Sequence, residues 1–117
     1  MMQDSLAHMV KTYSDIVETM EDLEIIEKNL VSRLKVKLRL FDGSMLWARE
    51  VWVKGEMDVY SYYWLRSNET IIMGWDNAPH HKGLKTFPHH KHIDKKVEDS
   101  QERNMREVLD FIRRFLG

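Results

Sequence analysis

In Arg33-Leu34-Lys35-Val36-Lys37-Leu38-Arg39-Leu40 apolar and basic residues alternate without a break. A side-chain period of two belongs to a β-strand. Leu34, Val36, Leu38 and Leu40 therefore share one face, and Arg33, Lys35, Lys37 and Arg39 share the other. A chain with such a segment has to bury one face of a sheet and leave the other in water.

The following residues extend the sheet. Phe41-Asp42-Gly43-Ser44 supplies a turn with Asp-Gly as its hairpin signal. Met45 to Val53 is rich in β-branched and aromatic residues and predicts a second strand. Lys54-Gly55-Glu56 turns the chain, Val59 to Arg66 predicts a third strand, and Ser67-Asn68-Glu69 turns it again. Thr70 to Trp75 predicts a fourth. Three short connections in a row make an antiparallel meander.

Helices are predicted on either side. From Ser5 to about Leu30 there is no Gly or Pro, and apolar residues recur at intervals of three and four. That spacing predicts one long helix, or two joined near Glu21-Asp22, capped by Asp4 or Ser5. From Val97 onward Met105, Val108, Leu109, Ile112, Phe115 and Leu116 form a second stripe, with Ser100 or Asp99 as cap. The expected fold is a single α+β domain over residues 1–117: N-terminal helix, four-stranded antiparallel meander, histidine-rich loop, C-terminal helix.

Between the last predicted strand and the last helix the chain is of another kind. Five of the six histidines and both prolines fall between Pro79 and His92. Imidazole transfers protons near neutral pH, and two of them can divide the acid and base roles of phosphodiester cleavage. His80 with one of His89, His90 or His92 would supply acid and base, and Lys91 would stabilise charge on the phosphorane. Asp76 and Asn77 are placed to set a histidine tautomer. Pro79 and Pro88 would stiffen the loop. The alternative chemistry is a metal. His90 and His92 flank one residue and share a face if extended, and His80, Asp76 or Asp94 would complete a shell for Zn²⁺ or another divalent ion.

Arg33, Lys35, Lys37 and Arg39 stand about 7 Å apart along their strand, an interval suited to a phosphate backbone. The competing reading is a solvated face paired with acids such as Glu50 on the neighbouring strand. The net charge of −1 confines any nucleic-acid binding to a local patch. With no cysteine, thiolate metal sites and disulfides are excluded. No apolar run reaches a membrane span and the first residues lack a signal pattern, so a cytoplasmic protein is expected.

Tyr60-Ser61-Tyr62-Tyr63-Trp64, Trp75-Asp76-Asn77-Ala78-Pro79-His80-His81 and Thr86-Phe87-Pro88-His89-His90-Lys91-His92 resemble the TumE-type family of small prokaryotic toxins. The resemblance spans roughly Leu34 to His92 together with the last helix. It implies the toxin of a toxin–antitoxin pair, with a helix-turn-helix antitoxin encoded nearby. By analogy with other small α+β toxins it also implies RNA cleavage. The leading expectation is a metal-independent ribonuclease without a cofactor. The alternatives are a non-enzymatic interaction module with a structural or metal-binding histidine loop, and an enzyme acting on a nucleotide or small phosphate. A second copy of the chain is a further partner this reading allows.

Overall fold

The computed structural model describes residues 2–116. Helix α1 (Met2–Thr12) is followed by strands β1 (Val17–Lys28), β2 (Val31–Leu40), β3 (Met45–Val53), β4 (Glu56–Leu65), β5 (Ile71–Asp76), β6 (His90–Ile93) and β7 (Lys96–Asp99). Helix α2 (Met105–Leu116) closes the chain. The strands form one antiparallel sheet in sequence order, β1 to β7.

The α+β class and the meander stand, but the sheet has seven strands and not four. Two errors account for the difference. The predicted long helix ends at Thr12, and its second half is strand β1. That strand is bulged twice, between Val17 and Thr19 and between Glu21 and Glu24. Each bulge inserts extra residues against the partner strand. Val17, Met20 and Leu23 therefore recur every third residue, which imitates a helical stripe. Positive φ at Asp22 (51°) lies in the second bulge.

The other error lies in the histidine segment. His90–Ile93 is a strand, and it turns through Asp94 (φ 55°) into strand Lys96–Asp99, where the sequence predicts loop and, from Val97, helix. Four-residue strands carry too few positions for alternation to declare itself. Helix α2 begins at Met105 and not at Val97. Its cap is Asn104, whose Oδ1 accepts from Glu107 N at 2.9 Å while Glu107 Oε1 accepts from Asn104 N at 3.2 Å. That is a reciprocal capping box with Asn in the lead position. Ser100, one of the expected caps, instead donates its N–H to Thr86 Oγ1. At the other end α1 already includes Asp4 and Ser5.

Both helices cover one face of the sheet. Leu34, Val36, Leu38, Leu40, Leu46, Ala48, Tyr60, Tyr62, Trp64 and Trp75 meet Leu6, Met105, Val108, Leu109 and Ile112 there. Burying an aliphatic side chain of this size stabilises by roughly 1.5–3 kcal/mol, and four such residues of α2 hold it to the sheet. Phe115 is 68% exposed despite its place in the predicted stripe. The end of α2 is tied to the α1–β1 turn by Arg113, which donates to Asp15 Oδ1 at 2.7 Å and lies over the Tyr13 ring. The three predicted turns occur as read, at Asp42-Gly43, at Lys54-Gly55, where both residues have positive φ, and at Ser67-Asn68-Glu69.

The opposite face has no helix on it. Antiparallel partners share a face, so register lines can be followed across it. One runs Glu21, Lys37, Trp47, Tyr63, Gly74, His92. The next runs Glu24, Lys35, Arg49, Ser61, Asp76, His90. The basic residues of β2 and the histidines of β6 thus look out from the same side. Four strand steps separate them, about 19 Å.

Candidate functional site

Asp76 ends β5, and alternation turns its carboxylate to the open face while Trp75 goes into the core. The side chain is buried, 8% exposed, and four groups surround its carboxylate. Oδ1 accepts from Ala78 N at 2.9 Å and lies 2.8 Å from His90 Nε2. Oδ2 accepts from the Tyr63 hydroxyl at 2.5 Å and lies 3.2 Å from His92 Nε2. One carboxylate collects partners from β4, β6 and the loop that follows β5.

His90 is 2% exposed. Its Nδ1 is 3.0 Å from the carbonyl of Pro88, the proline of the cis Phe87–Pro88 peptide. A carbonyl only accepts, so Nδ1 carries the hydrogen. His92 keeps 23% of its side chain exposed and tilts against the Tyr63 ring, centroids 5.8 Å apart. His81 comes from the loop and sets its ring edge-on to His90 at 4.8 Å and to His92 at 6.1 Å. Three imidazoles and a carboxylate therefore meet at one point of the sheet.

Tyr63 holds this arrangement from beneath. Burial, and then its bond to Asp76, push its hydroxyl well above the usual tyrosine range, so it remains a donor throughout neutral pH. Its ring lies directly over Gly74, where a Cβ would collide with it. Glycine is needed at this position for the close approach, not for a turn.

The other predicted site residues are placed differently. Lys91, between two open-face histidines, points to the helix side. There it lines a crevice of about 310 Å³ with Trp75, Arg103, Glu107 and Arg114. His89 also turns that way, its Nδ1 2.9 Å from the Tyr60 hydroxyl and its Nε2 3.7 Å from Glu102. His80 is exposed on the loop. Asp94 is exposed in the β6–β7 turn. Asn77 does not reach a histidine: its amide accepts from Tyr60 N and donates to Asp58 O, both at 3.0 Å.

On β2 half of the basic row is neutralised. Arg39 donates to Glu21 Oε2 at 2.7 Å, and Lys37 is 3.4 Å from Asp22. These acids come from β1, where the apolar spacing predicts a helix. Glu50, the acid expected to pair with the row, is buried on the core face, where it accepts from Tyr62 and Trp52. Among the described residues Arg33, Lys35 and Arg49 make no ion pair. Between the basic row and the histidines lies a recess of about 170 Å³, lined by Lys35, Lys37, Trp47, Arg49, Ser61 and Tyr63. The Trp47 indole N–H is buried in this region without a partner among the described residues.

Sequence reasoning did not single out Tyr63 or Arg49, and it included His81 in the histidine segment without a role of its own. Tyr63 was within reach of it: once Tyr62 and Trp64 are assigned to the core, alternation sends Tyr63 to the histidine side.

No helix is long and apolar enough to cross a membrane. No curated protein and no solved structure matches the chain. The sequence model of one family, described as Toxin TumE, matches residues 6–116, well beyond the stretch from Leu34 to His92 that carries the recognisable phrases. The chain therefore belongs to the TumE toxin family, the toxin side of a toxin–antitoxin pair, and its implied partner is an antitoxin.

Proposed function

We propose that this toxin cleaves RNA, and that its reaction centre is the cluster of His81, His90, His92 and Asp76. The observation that carries the reading is the convergence of three imidazoles on a buried carboxylate, on the sheet face that also bears Arg33, Lys35 and Arg49. His81 is the imidazole at the cluster with no hydrogen bond to another described residue, so it is free to move a proton. In this reading it takes the proton of the ribose 2′-hydroxyl as the 2′-oxygen attacks phosphorus. His80, beside it on the rim, gives a proton to the departing 5′-oxygen. The products are a 2′,3′-cyclic phosphate and a free 5′-hydroxyl.

Lys91 faces the other side of the sheet and takes no part in meeting the charge that develops on the phosphorane. Arg49 and Lys35 hold the strand along the recess that leads toward the cluster. The antitoxin is proposed to be a helix-turn-helix protein encoded beside the toxin. Inspection of the neighbouring reading frame tests that part.

The experiment for the whole reading is growth arrest on induction, followed by incubation of purified protein with total RNA. Cleavage that disappears in His81→Ala, with folding intact, supports it. Growth arrest without any RNA cleavage overturns it.

A further inference from the structure

We infer that Asp76, His90 and His92 form a binding site for a divalent first-row transition-metal ion. Each offers a ligand atom, and these atoms lie within 4.8 Å of one another. The inference goes beyond RNA cleavage and does not depend on it, because metal binding is measured without RNA.

The two nitrogens of His90 have different partners. Nδ1 faces the Pro88 carbonyl and must carry a hydrogen. A neutral imidazole has only one N–H, so Nε2 then directs a lone pair at a carboxylate oxygen 2.8 Å away. In a residue 2% exposed, two facing lone pairs call for a cation between them. His92 directs its own Nε2 to the other oxygen of the same carboxylate at 3.2 Å. His92 can carry its own hydrogen to that oxygen, whereas His90, with Nδ1 committed to Pro88, needs an added cation. A metal ion takes all three donors at once.

The surroundings have the form that metal centres need. Metal-bound histidine commonly donates its remote N–H to a carbonyl, which fixes tautomer and ring orientation, and Pro88 supplies that carbonyl to His90. The carboxylate is oriented in turn by the Tyr63 hydroxyl and the Ala78 N–H. Two nitrogens and one carboxylate leave positions open, as in catalytic rather than closed structural sites. His81 borders the open side. The donor set suits Zn²⁺, Mn²⁺, Fe²⁺ or Co²⁺ and disfavours Mg²⁺ and Ca²⁺, which prefer oxygen throughout.

The test uses untagged full-length protein, stripped with a chelator and titrated with Zn²⁺ or with Mn²⁺ by calorimetry. Elemental analysis after dialysis gives the stoichiometry. The expected result is one ion per chain. His92→Ala, which removes a partly exposed ligand, weakens binding by at least about 100-fold, and Tyr63→Phe by about 10-fold. His80→Ala, outside the cluster, leaves binding unchanged. Circular dichroism confirms that each variant is folded. The assignment is overturned if the folded wild type binds neither ion, if His92→Ala binds as tightly as wild type, or if His80→Ala abolishes binding.

Discussion

His90 Nε2 lies 2.8 Å from Asp76 Oδ1, and this contact joins the two strands that carry the polar cluster. Both groups are buried, at 2% and 8% side-chain exposure. Removing the carboxylate leaves the Tyr63 hydroxyl and the Ala78 N–H without their acceptor, and an orphaned buried donor costs about 1–3 kcal/mol. Asp76→Ala is therefore expected to lower unfolding free energy by about that amount in urea titrations. Lys91→Ala, on the far side of the sheet, should stay within about 0.5 kcal/mol. Equal effects would mean that the carboxylate is not the hub of the cluster.

Gly74 and Tyr63 make a second test. A methyl group at residue 74 would meet the Tyr63 ring, so Gly74→Ala has to displace it and with it the hydroxyl that orients Asp76. Overpacking of this kind costs about 1–3 kcal/mol. Gly74→Ala should reduce both thermal midpoint and activity, whereas Gly83→Ala, with open space around it, should change neither.

Alkaline pH should unfold the protein. Burial raises the hydroxyl of Tyr60 to about 12, and raises those of Tyr62 and Tyr63 further still. In each case the folded value exceeds the unfolded one near 10, so the folded state favours the neutral phenol. That contribution is complete below pH 10 and is lost as pH rises past it. Thermal melts should be nearly flat between about pH 8 and 9 and fall steeply above about pH 10. An unchanged midpoint at a pH of about 11 would contradict the burial of these hydroxyls.

The basic residues should not contribute equally to RNA binding. Arg39 and Lys37 are engaged by Glu21 and Asp22, while Arg49 and Lys35 are free of ion pairs among the described residues. Replacing Arg49 or Lys35 with Ala should weaken binding across sequences and reduce the salt slope by about 1 per lost phosphate contact. Arg39→Ala should do less. Fluorescence anisotropy with a short RNA at several salt concentrations measures both quantities.

What the sequence disclosed followed from how many residues each signal had. Leu34, Val36, Leu38 and Leu40 alternate over a full strand, and β2 formed as expected. Met105, Val108, Leu109 and Ile112 repeat over a full helix, and α2 formed with them buried, though it starts later than expected. In β1 two bulges changed the period from two to three, and a helix was read in their place. Strand β6 has only four residues; His90 and His92 share a face as their spacing predicts for an extended segment, and the same alternation sends Lys91, assigned to the phosphorane, to the other side. The chemistry of the histidine segment was legible from composition. Which imidazoles meet was not, because that depends on pairing β5 with β6 across a loop from residue 77 to 89.

The proposed reaction centre lies on the open face, at the Asp76 cluster. Single-turnover cleavage of a defined RNA by His81→Ala and by Lys91→Ala tests it most directly. Loss of a positioned acid or base costs about 10²–10⁴-fold, so His81→Ala should fall by at least that range while Lys91→Ala stays within a few-fold of wild type. The opposite pattern, an active His81→Ala and an inactive Lys91→Ala, would place the chemistry on the helix side of the sheet and contradict the account.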